Sequence, residues 1–136
     1  MNLLDLRRQA PRVSVDGMCG VVGNDNIQQA TVVDLSMTGL RVERMFDART
    51  ASRDVQLEIE LPGIDEVVWA HGVVASARLL PRPGHTEQGM PNFWFSTGVR
   101  IVTMCQREAR LLREFVVETL VARRRVSDRR LLADRS

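Results

Sequence analysis

The 136-residue chain has no lysine: all nineteen basic residues are arginine. Cysteine and histidine are almost as scarce. Cys19 and Cys105 stand far apart, which excludes a disulfide framework and predicts two reduced, packed thiols. His71 and His85 have no cysteine or carboxylate at metal-ligand spacing, so no zinc site is expected. No apolar run reaches transmembrane length, so membrane insertion is not expected. The charged stretch from Asp5 to Arg12 has no apolar segment and cleavage site behind it, which speaks against a secretory signal and for the cytoplasm. Also lacking are a phosphate loop, paired carboxylates in a suggestive context and a Ser-His-Asp or Cys-His signature; Ser36 has no histidine or lysine near it in sequence to activate it. The chain therefore reads as a non-enzyme without a cofactor. It shows no internal repeat, no coiled-coil heptads and no domain linker.

What is present suits one compact domain. A composition 44% hydrophobic and 26% charged can bury a core without disulfides or metals. The exclusive use of arginine matters chemically, because guanidinium stacks on bases and forks onto phosphates as lysine does not. The net charge of +2 is too small to argue for nonspecific DNA binding, but it is unevenly spread. Arg7, Arg8 and Arg12 crowd an N-terminal arm, and residues 123–136 carry six arginines against two aspartates, a basic C-terminal tail.

Hydrophobic periodicity divides the chain into an arm (1–12), a barrel with its helix (13–122) and the tail (123–136). "RVSVDGMCGVV" reads as a bent or bulged strand, "GNDNIQQ" as hairpin turn, "ATVVDL" as a second strand, and "SMTGLRVERM" turns into a third. "DVQLEIELP" alternates strictly, with Val55, Leu57, Ile59 and Leu61 on one face. "VVWAHGVVASARLL" is a long strand, "PRPGHTEQGMPN" a polar loop and "FWFSTGVRIV" the last strand. Leu111, Leu112, Phe115, Val116, Thr119 and Leu120 then recur at helical spacing, with Arg123 to Arg125 placed to complement the dipole at that helix's C-terminus. Short strands joined by turns and one terminal amphipathic helix predict a small antiparallel β-barrel capped by the helix. Trp69 and Trp94 are assigned to packing, while Arg41, which either joins the site or faces solvent, is left out of the candidate site residues.

Two motifs carry chemistry. Arg8 and Arg12 form R-x-x-x-R, which alone means little, since Arg49/Arg53, Arg78/Arg82 and Arg125/Arg129 share the spacing. The second, D-x-S-x-x-G, is Asp34, Ser36 and Gly39. Here a strand ends at a carboxylate able to bond the backbone two residues on, a hydroxyl follows, and a glycine permits φ > 0 or close ligand approach. In this order, and with "GLRV", "VVWAHGVV", "STGVRIV" and "REARLLREFV" following, the chain from about residue 6 to about residue 121 resembles the PilZ family of bacterial cyclic di-GMP receptors.

The resemblance implies a six-stranded antiparallel barrel with a C-terminal helix, and cyclic di-GMP as ligand. Arg8 and Arg12 would wrap its guanine and phosphate groups, Asp34 and Ser36 would meet a guanine edge and a phosphate, and Gly39 would leave space. Arg7, just before the pair, implies two mutually stacked ligand molecules. The chemistry is consistent: guanidinium serves both phosphate and purine face, and a carboxylate suits the N1/N2 donors of guanine. Ordering of the arm would then signal to an unidentified protein effector in trans. Two other readings stand beside this one: a ligand-blind adaptor of the same fold, and a small barrel that binds nucleic acid through its arginine-rich tail. The apolar side of the helix is a candidate homodimer surface.

Overall fold

The computed structural model describes residues 11–23 and 26–134. Arg7 and Arg8 lie outside the described residues. Six strands, β1 (Arg12–Val22), β2 (Ile27–Ser36), β3 (Gly39–Met45), β4 (Asp54–Glu60), β5 (Val67–His85) and β6 (Pro91–Thr103), precede one helix, α1 (Gln106–Asp134), and a single 3-10 turn spans Ala48–Thr50. All pairings are antiparallel, and the strands close into a barrel in the order β1-β2-β3-β6-β5-β4.

The alternation expected for β4 is realised. Val55, Leu57 and Ile59 point inward to meet Val13, Val21, Val32, Leu35, Leu40, Val42 and Val68, all essentially inaccessible to water. Each such side chain contributes about 1.5–3 kcal/mol through burial. Cys19 sits in this core, where desolvation pushes its thiol up to about 12 against a smaller opposing pull from Arg44. Helix α1 lays Leu112 and Val116 onto the barrel, with Leu111, Phe115 and Leu120 at the margin.

Two expectations need correction. The stretch "PRPGHTEQGMPN" is mostly strand, not loop: β5 runs on to His85, β6 begins at Pro91, and the connection is a tight turn with Gly89 at φ +82°. Pro81 is tolerated because the register passes from Leu79↔Phe95 to Pro83↔Phe93, so it falls where the ladder is interrupted and its missing N–H leaves no vacancy in the pairing. The tail is not a tail either, since α1 continues through Asp134 and Arg123 to Arg125 lie in its interior rather than its last turn. No glycine or proline occurs after residue 105, and arginine, alanine and leucine are strong helix formers. Residues 121–130 are nonetheless exposed. Among the described residues no helix is long and apolar enough to cross a membrane.

Candidate functional site

The R-x-x-x-R motif ends where β1 begins, and D-x-S-x-x-G spans the turn from β2 to β3. Antiparallel pairing brings them together, with Arg12 opposite Ser36 and Ser14 opposite Asp34. An offset of two residues, one full period of the strand, leaves the two charged side chains diagonal neighbours on the same outer face. Arg12 donates from its guanidinium to the Asp34 carboxylate at 3.1 Å, and its own side chain remains 56% exposed. Arg123 of α1 donates to the carbonyl of Ser14 in the same strand.

The division of labour within the second motif differs from the sequence reading. Ser36, not Asp34, holds the turn. Its hydroxyl is 1% exposed and accepts from the backbone N–H groups of Thr38 and Gly39, both at 3.2 Å, while the Gly39 carbonyl lies within donating reach at 3.2 Å. The Thr38 hydroxyl lies at 3.2 Å as well, so the one proton and two lone pairs of the Ser36 hydroxyl are all provided with partners inside the turn. The Asp34 carboxylate is thereby left to face Arg12. Gly39 is required for packing rather than for a left-handed backbone: Gly63 and Gly89 alone among the described residues have positive φ. A Cβ on Gly39 would stand 2.5 Å from the Val99 carbonyl oxygen of β6.

Beside the Arg12–Asp34 pair lies a cleft of about 420 Å³. Arg12, Arg41 and Arg100 line it together with the small residues Gly39, Ala75, Ser76 and Gly98, and no carboxylate is among its lining residues. Sequence position alone leaves Arg41 between the site and solvent; here it lines the cleft. The period of two that puts it on the same face of β3 as Gly39 is visible in the sequence, but its approach to Arg100 requires the β3–β6 register, in which Gly39 faces Arg100 and Arg41 faces Gly98. The two tryptophans pack on the barrel exterior. Trp69 is half exposed, and Trp94 lies under the guanidinium of Arg82, 4.1 Å from the ring centre.

Two further cavities occupy the far ends of β3 and β6. One of about 660 Å³ is bordered by Gln28, Phe46, Arg49, Glu87 and Trp94. The other, of about 370 Å³, is mainly apolar, with Met45, Phe46, Val74 and Phe95 in its walls. Nearby, Asp47 caps the 3-10 turn through the backbone N–H of Arg49, and hydrogen bonds from Arg49 hold its carboxyl below the ordinary range.

Comparison with known proteins agrees with the fold. In structure the chain is similar to the PilZ domain with c-di-GMP of YcgR from Escherichia coli (15% identity, 90% of this chain and 98% of that one, TM-score 0.63). It is also similar to YcgR in complex with c-di-GMP from the same organism (17% identity, 90% of this chain and 50% of that one, TM-score 0.60) and to the Bacillus subtilis inhibitor of motility MotI/DgrA (12% identity, 85% of this chain and 52% of that one, TM-score 0.57). The chain thus spans about half the length of the latter two proteins. No curated protein matches it in sequence. The PilZ domain profile matches residues 6–118, both motifs included, and the chain belongs to the PilZ domain family.

Proposed function

We propose that the chain is a receptor for cyclic di-GMP, not an enzyme, and that it reports the ligand to a protein effector in trans. The observation that carries the reading is the Arg12–Asp34 pair standing beside a cleft lined by three arginines and no carboxylate. Cyclic di-GMP offers complementary groups: phosphodiester anions for guanidinium, purine faces for it to stack on, and guanine N1/N2 donors for Asp34. Proteins of the same fold that hold c-di-GMP, the YcgR structures among them, support the choice of ligand. Ser36 serves by fixing the turn that presents Asp34, and Gly39 by letting β3 approach β6.

In this reading Arg8 and Arg12 close over the ligand, exchanging the Arg12–Asp34 contact for contacts to phosphate and base, and the arm becomes ordered as the signal. Arg7 adds a guanidinium that offsets the charge of a second, stacked ligand molecule. Isothermal titration calorimetry with cyclic di-GMP tests both points: saturable binding is expected with two ligands per chain, and Arg7→Leu should lower that number to one. The exposed arginines of α1 give the nucleic-acid reading its support. Retention of random single-stranded DNA that is lost in Arg124→Glu/Arg125→Glu, with no cyclic di-GMP bound, would replace the receptor by that reading. A folded chain that binds neither would be a ligand-blind adaptor. Sedimentation of the full chain decides whether Val117, Val121 and Val126, exposed on α1, mediate a homodimer.

A further inference from the structure

Arg41 and Arg100 belong to neither motif, yet they are the two cations that the closed barrel itself carries into the cleft. They stand diagonally across β3 and β6, each opposite a glycine: Arg41 faces Gly98, and Arg100 faces Gly39. The floor between them consequently has no side chain above it. A Cβ at Gly98 would lie 2.6 Å from the Ser76 hydroxyl and 3.7 Å from a guanidinium nitrogen of Arg41, so the space is one that glycine keeps open.

Arg41 is also held in place. Its guanidinium donates at 3.0 Å to the hydroxyl of Ser96, a residue only 3% exposed. That partner is neutral, so the bond fixes direction without cancelling charge. The acids within reach are engaged elsewhere. Asp34, opposite Arg41 in the β2–β3 register, bonds Arg12, and Glu43, two residues along β3, faces Arg82 at 3.9 Å. Among the described residues neither Arg41 nor Arg100 makes an ion pair. Two guanidiniums without an ion-pair partner, that of Arg41 oriented by Ser96, stand around a floor of small residues with Thr38 and Ser76 also lining it, and together make an anion receptor.

We infer that Arg41 and Arg100, with Gly98 as floor and Ser76 at the rim, form a phosphate-binding subsite built into the barrel wall and independent of the arginine arm. It takes a phosphodiester or phosphate anion. On the receptor reading above, on which its natural ligand rests, it receives a phosphate of cyclic di-GMP whose guanine is at Asp34, and the arm completes a site already half formed.

The test uses the full chain, with Arg41→Gln, Arg100→Gln, the double variant and Gly98→Ala, each checked for an unchanged melting temperature. Gly98→Ala fills the floor and leaves the charge intact. Titration with cyclic di-GMP should show each single arginine change weakening affinity about tenfold, the double variant more, with a flatter dependence on salt. In parallel, phosphorus NMR with inorganic pyrophosphate should show line broadening that survives Arg12→Gln and disappears in the double variant. If the parent binds no cyclic di-GMP but broadens pyrophosphate through Arg41 and Arg100, the subsite stands and the receptor reading falls. If the parent binds cyclic di-GMP and the double variant binds it within twofold of the parent, the subsite is overturned. A parent that binds no cyclic di-GMP, with pyrophosphate broadening absent or unchanged in the double variant, overturns it equally.

Discussion

The two ends of β3 and β6 are built from the same ladder and do opposite things. At one end, Gly39–Arg41 and Gly98–Arg100 leave a low, cationic surface with backbone close to solvent. At the other, Phe46 and the hairpin residues Leu79, Met90 and Phe93 are all more than half exposed, and the 660 Å³ cavity opens there. The larger volume thus lies away from the charged motif residues. Volume by itself would suit many occupants. A constellation of unpaired guanidiniums suits few, so charge rather than volume is the ground for the proposed nucleotide site.

Gly39→Val should upset the comparison most, because it acts on fold and site together. The added side chain has no room beneath the Val99 carbonyl, and an overpacking cost of about 1–3 kcal/mol is expected, read as a lower melting temperature and no titratable cyclic di-GMP binding. Thiol alkylation at pH 8 gives a second readout. In the parent only the exposed Cys105 should react, since a thiol pushed up to about 12 and shut in the core presents almost no thiolate, whereas a loosened barrel should expose Cys19.

Arg12→Ala and Asp34→Ala come next, each expected to weaken binding about 10- to 100-fold with little change in melting, because a charge-assisted contact contributes about 1.5–3 kcal/mol and both side chains lie at the surface. Unchanged affinity in either variant would detach the motifs from the site. Ser36→Ala should show the reverse balance. It leaves the N–H groups of Thr38 and Gly39 without their acceptor, a loss of about 1–3 kcal/mol in thermal or urea denaturation, with affinity reduced only through the displaced turn. The smallest effect is expected at the opposite end: Phe46→Ser/Phe93→Ser should leave cyclic di-GMP affinity within twofold, and a larger change measured by calorimetry would mean that the two ends are not separate.

How much of this could be read in advance depended on whether the information was local. The alternation of Val55, Leu57 and Ile59 is a local signal and gave both strand and face. D-x-S-x-x-G was equally visible, but the roles of its members were not, because which oxygen closes the turn depends on Asp34 being drawn to Arg12, twenty-two residues away. Arg41 looked like one arginine among nineteen; only a pairing that joins β3 to β6 sets it beside Arg100. The α1 terminus was misjudged for a different reason. Clustered charge suggested a loose tail, while the absence of any helix-breaking residue, equally legible, pointed the other way and prevailed.

The hydrogen bond from Arg123 to the Ser14 carbonyl pins α1 to β1 two residues from Arg12. Past Leu120 the helix runs on through Asp134, about 20 Å at 1.5 Å per residue. Mechanically this is a long arm rooted beside the proposed nucleotide site. Measured from Arg123, a length of about 16 Å, a tilt of about 10° would carry the far end about 3 Å by simple geometry. A displacement too small to notice where Arg12 meets Asp34 would therefore be a full side-chain width at the tip, where a partner could feel it.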